Sequence, residues 1–329
     1  MQESSVEREK NPWEEDRWEK GYPYEYFKYN VDRKEKIATV TMTNPTGIDT
    51  APNWDAHELR KLIDKWERDD DVKVVILKSA GKNFCTGHDL DTYLTEERGK
   101  RNVSKAEAAK SKKKFRRTNR GAIIDGHQHP LFERLLYSLK PTIVQVHGLC
   151  IEYGMGLHMH CDMTIAGDDA HFGHLGQVIG MSGVSHLQLY LGAMGYKRCR
   201  EMMTCGRTYN ARQAVEMGMV NRVVPREKLD EEVWNEAKRI ALIPLDGLVT
   251  GKMHMRLALE EMGLTASNYR TQVIWAGFMP NVKHEPGEFH FFDVLREKGL
   301  KEALRQRKEV YAPLGGFGRD DERDFIVEE

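Results

Sequence analysis

The sequence predicts an α/β protein whose last third is helical, and two patterns carry this prediction. Short apolar runs typical of strands alternate with helical segments from residue 24 to about residue 225. From Arg226 onward the apolar residues follow helical spacing only. This change of period favours an α/β core with a helical C-terminal region. We therefore divide the chain into a polar N-terminal arm at 1–20, a core at 21–225 and a helical oligomerisation or lid region at 226–329.

The core elements follow in order along the chain. Two β-rich runs at 24–31 and 37–43, joined by a charged turn, predict a hairpin. A helix follows, because apolar side chains recur at helical spacing in Leu59, Leu62, Ile63 and Trp66. The remaining predicted strands are 72–77, 142–146, 163–166, 170–172 and 220–224, and the predicted helices are 104–120, 131–139, a run from Gly156 to Asp162, and 210–217.

Composition and charge limit the class of protein. The 329 residues are 40% hydrophobic and 31% charged, which suffices for a sizeable core. A formal net charge of -1 gives no overall attraction to nucleic acid or to an anionic membrane. No apolar run is long enough to cross a bilayer, and residues 1–20 lack the apolar segment of a signal peptide. The five cysteines form no C-x-x-C pair. We therefore expect a cytoplasmic protein with reduced thiols and no membrane partner.

Two glycine-containing turns indicate chemistry. The first, 84–90, follows the strand at 72–77, and the second, 148–156, follows the strand at 142–146 and opens a helix. Glycine lets backbone N–H groups point at a ligand, and a helix N-terminus adds partial positive charge. Two such turns that converge would bind a developing oxyanion. A glycine-rich turn from a strand into a helix, taken alone, is more often only a tight connection.

Both turns, in this order and with the segments around them, resemble the crotonase (enoyl-CoA hydratase/isomerase) superfamily. The resemblance runs from about residue 27 to residue 262. The matching stretches are N-F-C-T-G-H-D-L at 83–90, K-P-T-I-V-Q-V-H-G at 140–148, L-H-M-H-C-D-M-T-I-A at 157–166, A-H-F-G at 170–173 and A-R-Q-A-V-E-M-G-M-V-N-R-V-V-P at 211–225.

The resemblance implies a spiral of ββα repeats whose C-terminal helices pack trimers, often as hexamers. It also implies a coenzyme A thioester as substrate, with no cofactor beyond the coenzyme A that the substrate carries. The thioester oxygen would lie between the backbone N–H groups of His88 and Tyr153. The expected contacts with coenzyme A are Thr46, Gly47, Ile48, Cys85 and Gly87.

Departures from the family pattern leave the reaction open. The two glutamates that position water in enoyl-CoA hydratases are matched here by Gly156 and Gly176. The catalytic aspartate of the related naphthoate-forming synthases falls at Gly183. The nucleophilic acid of the chlorobenzoyl-CoA dehalogenases falls at Val184. Ordinary water addition and these two other reactions therefore lose their usual machinery.

The candidate acid–base groups are imidazoles and one carboxylate. His129 matches a catalytic histidine of the dehalogenases, although it also suits a helix cap before Pro130. Glu152 interrupts the glycine run of the second turn and is the second candidate base, with a surface ion pair as its alternative. Further histidines in or beside pocket-facing segments are His88, His127, His174 and His186. This pattern favours a hydrolytic or retro-Claisen-like cleavage of a ketoacyl-CoA, or a hydration without the glutamates.

Other interpretations of the same residues stay open. His158 and His160 are two positions apart on a helix and point to different faces, so we expect no metal site. The basic run 110–117 is typical of a solvated helix face, or of a surface that attracts coenzyme A phosphates. It has one interleaved aromatic residue and thus no stacking platform, so we expect no nucleic acid partner. The rival function is a catalytically degenerate crotonase scaffold that binds coenzyme A or RNA without turnover.

Overall fold

The computed structural model describes residues 26–43, 55–87, 131–180, 184, 186–264, 266, 270 and 285–314. Several positions singled out above lie outside these described residues. They are the arm at 1–20, Thr46, Gly47, Ile48, His88, the helix at 104–120 with its basic run, His127, His129 and Gly183.

The described core is built on two β-sheets. The larger sheet has six strands in the order β1–β2–β3–β4–β6–β9, in which β1 and β2 are antiparallel and the others parallel. The smaller sheet has the order β5–β7–β8. The strands are β1 Phe27–Asp32, β2 Ile37–Met42, β3 Val74–Ser79, β4 Thr142–Val146, β5 Leu149–Ile151, β6 Met163–Gly167, β7 His171–Gly173, β8 Thr208–Asn210 and β9 Arg222–Val224.

Helices cover the sheets and form the described elements after residue 225. The α-helices are α1 Asp55–Glu67, α2 Leu131–Leu136, α3 Tyr153–Met159, α4 Leu187–Cys205, α5 Ala211–Glu216, α6 Leu229–Ala241, α7 Leu245–Glu261, α8 Phe291–Lys298 and α9 Leu300–Tyr311. Short 3₁₀ helices lie at Gly176–Ile179, Arg226–Lys228 and Ala312–Leu314. Among the described residues, no helix is both long enough and apolar enough to span a bilayer.

Local chemistry explains the predicted turns and caps. In the β1–β2 hairpin, the Asp32 carboxylate accepts the N–H groups of Lys34 and Glu35 at 3.0 and 2.9 Å. Helix α5 begins with a capping box, in which Asn210 and Gln213 each accept the other's backbone N–H at 2.9 Å. Both the hairpin and this helix start were predicted from sequence and are confirmed.

The core lies on both faces of the larger sheet. Along β3, Val75 and Leu77 pack toward helix α1, whereas Val74 and Ile76 pack toward helix α6. Because both faces are buried, the strand reads as a continuous apolar run instead of an alternating one. The buried strand predicted at 72–77 is therefore confirmed, with its bounds moved by two residues.

Three elements were missed. Helix α4 was not predicted, because Gly192 and Gly195 interrupt its apolar pattern and Gly195 (φ 74) breaks the helical backbone. Strands β5 and β8 are three residues each, too short to give a periodic signal. Strand β5 lies inside the second glycine-containing turn and ties it to β7.

Candidate active site

The two glycine-containing turns lie side by side. The Phe84 N–H donates to the His147 carbonyl at 2.8 Å, and the Cys85 N–H donates to the Leu149 carbonyl at 2.9 Å. In return, the Ile151 N–H donates to the Cys85 carbonyl at 2.8 Å. Cys85 is 2% exposed and uses both backbone groups in this bridge. It therefore holds the turns together, and its predicted contact with coenzyme A stays a prediction.

Gly87 brings the first turn into contact with the second. Its φ is +100°, and a Cβ at this position would lie 3.1 Å from the Cβ of Glu152. Tyr153 follows Glu152 and begins helix α3, so the helix N-terminus opens next to Gly87. The structure thus brings together Gly87, Glu152 and Tyr153, whose roles in binding stay predictions.

Glu152 has a backbone conformation that side chains rarely adopt. Its φ is 52° and its ψ is -104°, at the position where the family usually has glycine. Tyr153, the next residue, is helical, so the unusual backbone conformation falls on Glu152 alone. Such a conformation costs about 1–3 kcal/mol and persists where surrounding contacts enforce it, often at active sites.

The Glu152 carboxylate faces an imidazole. Its Oε1 lies 3.2 Å from Nδ1 of His174, and the two side chains are 25% and 9% exposed, respectively. Oε1 is buried and makes no well-aligned hydrogen bond within the described residues. The distance therefore supports an ion pair when His174 is protonated, but not an aligned hydrogen bond. His174 was predicted to face the pocket, and it does contact the second turn.

Arg307 of helix α9, in the C-terminal region, lies within electrostatic range of Glu152 in this turn. Burial lowers the pKa of Arg307 to about 10, and the charges of Tyr311 and Glu152 oppose this shift. The guanidinium carbon lies 5.8 Å from the ring centroid of Phe291. Sequence reasoning missed Arg307. The sequence pattern that could have identified Arg307 is its position one helical turn after the buried Ala303, on the inward face of α9.

Helix α4 approaches the turn from another side. Burial raises the pKa of the Tyr190 hydroxyl, and the negative charge of Glu152 raises it further. Tyr190 is 1% exposed and lies in the first turn of the helix. Glu152 therefore lies within electrostatic reach of both Tyr190 and Arg307.

His158, in helix α3, and His160, its C-cap residue, have separate partners. Nδ1 of His158 lies 3.2 Å from the Thr164 hydroxyl, whereas Nδ1 of His160 lies 2.6 Å from the Gly156 carbonyl. Nε2 of His160 lies 2.8 Å from Nδ1 of His186. Burial lowers the pKa of His158 and of His160 to about 3. Within the described ranges, His, Cys, Asp and Glu side chains form no group of three or more that could hold a metal ion.

Comparison with known proteins places this site in a family. The enoyl-CoA hydratase/isomerase family profile matches residues 32–284. The chain belongs to this family. EchA13 of Mycobacterium tuberculosis, named as an enoyl-CoA hydratase, is 28% identical over 255 residues, covering 74% of this chain and 77% of that protein. The 4-chlorobenzoyl coenzyme A dehalogenase-1 of Arthrobacter sp. is 26% identical over 227 residues, covering 68% and 76%.

A solved structure gives the same result for the fold. The enoyl-CoA hydratase/isomerase from Xanthobacter autotrophicus Py2 superposes with a TM-score of 0.71 at 27% identity. The match covers 88% of this chain and 99% of that one. The predicted crotonase-like α/β fold with a helical C-terminal region is confirmed.

In this family member, the Phe132 side chain occupies the space next to Gly156, which stands where enoyl-CoA hydratases have one of their two glutamates. A Cβ on Gly156 would lie 2.7 Å from Cε1 of Phe132 in helix α2. The Phe132 ring also lies 5.3 Å from the Tyr153 ring. Gly176, at the second glutamate position, is buried at the start of a 3₁₀ helix. An aromatic ring therefore occupies the place beside the turn where the glutamate at 156 would project.

Proposed function

We propose that this acyl-CoA enzyme stabilises a thioester enolate between the backbone N–H groups of His88 and Tyr153. The observation that carries the proposal is the pairing of the two turns, which places Gly87 against Glu152 at the start of helix α3. Removal of a proton next to a thioester leaves negative charge on the carbonyl oxygen. Preorganised N–H donors at that oxygen are worth about 3–4 kcal/mol each.

The proposed reaction is either a hydratase-like water addition or the hydrolytic cleavage of a carbon–carbon bond in a ketoacyl-CoA. Both reactions pass through the same enolate and both need a group that moves a proton. We propose His129 and Glu152 for this role, in place of the family's glutamates. The contact of Glu152 with His174 supports a carboxylate–imidazole pair at the turn.

The proposed substrate carries its own cofactor group. Thr46, Gly47, Ile48, Cys85 and Gly87 would contact coenzyme A, and no other cofactor enters the proposed reaction. We further propose that the protein acts in the cytoplasm as a trimer or hexamer built on its C-terminal helices.

A panel of linear, cyclic and aromatic coenzyme A thioesters, followed by mass spectrometry, tests this proposal. Water addition to an enoyl-CoA and ring opening of a cyclic ketoacyl-CoA each add the mass of one water, and fragmentation of the product tells the hydroxyl from the new carboxyl group. Cleavage of an open-chain ketoacyl-CoA instead splits off an acid and leaves a shorter acyl-CoA. Gly87→Ala should lower kcat at least tenfold, because its Cβ would press on Glu152 at a φ of +100°. Gly195→Ala is the matched control, since it has a φ of +74° with no atom within 4 Å of the added Cβ. Equal kcat values for the two variants would contradict the proposed site.

The second candidate function is a scaffold that binds coenzyme A or RNA without turnover. The ring of Phe132 at the glutamate position favours it, because that ring has no acid–base group. Solvent deuterium exchange at the α-carbon of bound thioesters separates the two functions. Exchange supports the enzyme, whereas binding with no exchange for any thioester supports the scaffold. Salt-dependent RNA affinity that disappears when Lys112, Lys113 and Lys114 are neutralised would support the RNA-binding form.

A further inference from the structure

The ring of Phe132 lies along one face of helix α3. Its tip meets Gly156, where an added Cβ would lie closest to Cζ, 2.7 Å from Cε1 and 3.1 Å from Cε2. The ring centroid also lies 5.3 Å from that of Tyr153 and 4.9 Å from that of His160. The three contacted positions are spaced i, i+3 and i+7, so they share one side of the helix. Phe132 of helix α2 is therefore held against the whole length of the short helix α3.

Glycine at position 156 is what makes room for the ring. Carbon atoms in ordinary contact are about 3.5–4.0 Å apart. An added Cβ would lie well inside that distance from three ring atoms, so a side chain at 156 would displace Phe132. This space holds either a side chain at 156 or the tip of the ring. The chain thus has an apolar ring at the start of helix α3 in the place of an acid–base group.

Phe132 keeps open surface, whereas the rings packed around it do not. Tyr153 is 8% exposed, and His160 and His186 are 1% and 0% exposed. Phe132 itself is partly buried. Its tip is covered by Gly156, and one of its faces by the His160 ring, whose plane is 24° from its own. The rest of the ring therefore forms a flat apolar wall that is fixed in position.

This wall adjoins the proposed oxyanion donor. Tyr153 is the first residue of helix α3, and Gly156 lies about 4.5 Å further along the helix axis, at about 1.5 Å per residue. The Phe132 ring contacts both residues. A thioester whose oxygen accepts the Tyr153 N–H would therefore have the first carbons of its acyl group next to this ring.

We propose that Phe132 is a specificity-determining residue, whose ring selects a flat, ring-containing acyl group over a linear one. This inference rests on the proposed function, which places the acyl carbonyl at Tyr153. Aromatic rings attract one another in offset or tilted arrangements, beyond the apolar area that they bury. Such a pair corresponds to about a twofold to tenfold gain in affinity.

Binding of two unreactive analogues tests this selection without turnover. S-phenacyl-CoA and S-(2-oxooctyl)-CoA keep a carbonyl but lack the thioester, and each has six carbons beyond the carbonyl, as a phenyl ring or as a linear chain. In calorimetry, the wild-type protein should bind the phenyl analogue more tightly. Phe132→Leu should reduce this preference by about twofold to tenfold, because leucine is apolar but has no π-face. Equal affinity of the wild-type protein for both analogues would overturn the inference.

Tyr29→Leu is the matched control. Tyr29 is also a partly buried aromatic residue, but it lies on β1, two strands away from β3 in the larger sheet. Its replacement should leave the preference for the phenyl analogue unchanged. A loss of preference as large in Tyr29→Leu as in Phe132→Leu would show a general effect on the fold and would overturn the role of Phe132.

A double-mutant cycle tests the contact between the ring and the helix. Gly156→Ala should also reduce the preference, because its Cβ would displace the ring tip. In the Phe132→Leu background, the same substitution should change the preference by less than twofold, since the ring is already absent. Equal losses in the two backgrounds would contradict a wall formed by Phe132 at Gly156.

Ring-current shifts locate the ligand directly. The methylene next to the carbonyl on the chain side of the 2-oxooctyl analogue, labelled with ¹³C, should show its proton signal upfield when bound to the wild-type protein. Phe132→Leu should lose most of this shift, and Tyr29→Leu should keep it. A bound methylene with the same shift in the wild-type protein and in Phe132→Leu would overturn the inference.

Failure of this inference and failure of the proposed function give different results. A phenyl preference that Phe132→Leu leaves unchanged, in a wild-type protein that turns over thioesters, would overturn the role of Phe132 alone. A wild-type protein that turns over no thioester, but whose phenyl preference depends on Phe132, would overturn the proposed reaction and leave the role of Phe132 in binding standing.

Discussion

Replacement of Glu152 separates backbone strain from carboxylate chemistry. Glu152→Gly and Glu152→Ala remove the same carboxylate, but only glycine suits a φ of 52° and a ψ of -104°. Relief of this strain is worth about 1–3 kcal/mol. Glycine loses about 0.5–1 kcal/mol through the greater freedom of the unfolded chain. We therefore expect Glu152→Gly to be about 0–2.5 kcal/mol more stable than Glu152→Ala.

Urea unfolding followed by circular dichroism measures this difference, provided that both variants have the same m value. The carboxylate test is the kcat of the same two proteins. If Glu152 moves a proton, both variants should lose about 10²-fold or more in kcat, and by similar factors. Lys36 supplies the control, because its φ is 60° in the hairpin turn. Lys36→Gly and Lys36→Ala should show the same order of stability with unchanged kcat.

Two results would refute the reasoning about Glu152. A glycine variant less stable than the alanine variant would show that the backbone at 152 is not strained. Unchanged kcat in both variants would remove the carboxylate from the reaction, and Glu152 would then serve the site only through its backbone.

Three further predictions concern charge. Because burial lowers the pKa of His158 and His160 to about 3, the unfolded chain binds more protons below pH 6.5. Stability should fall by about 2 kcal/mol per histidine from pH 7 to pH 5 in urea titrations, and His158→Gln should remove one such share. Lys252→Met should cost about 3 kcal/mol in urea unfolding, since it leaves the Asp162 carboxylate without its ion pair. Arg307→Gln should lower kcat/KM with little change in Tm in calorimetry, because it removes the positive charge near the second turn.

The fold could be predicted from the sequence where the spacing of apolar residues and the turn-forming residues indicated the same element. Strand β4 was predicted with the bounds Thr142–Val146 that the structure has, because a continuous apolar run follows Pro141. Helix α4 could not be predicted from the sequence. Its burial depends on packing of Tyr190, Met194, Cys199 and Met202 against distant elements, and two glycines mask its period.

Part of the candidate active site could be predicted from the sequence. The two turns and their order indicated that Gly87, Glu152 and Tyr153 would converge, and the structure places them together. The contact of Phe132 with Gly156 could not be predicted, since the two residues lie 24 positions apart on different helices and no local sequence pattern indicates that they meet. The same holds for the His160–His186 pair, whose partners are 26 residues apart.

Infrared spectroscopy of a thioester labelled with ¹³C at its carbonyl tests most directly whether the amides of residues 88 and 153 polarise the substrate. A non-reacting acyl-CoA analogue bound to the protein should show its carbonyl stretch at lower frequency than in water, and Gly87→Ala should reverse most of that shift. An analogue that binds with the same carbonyl frequency as in water would contradict the proposed oxyanion hole.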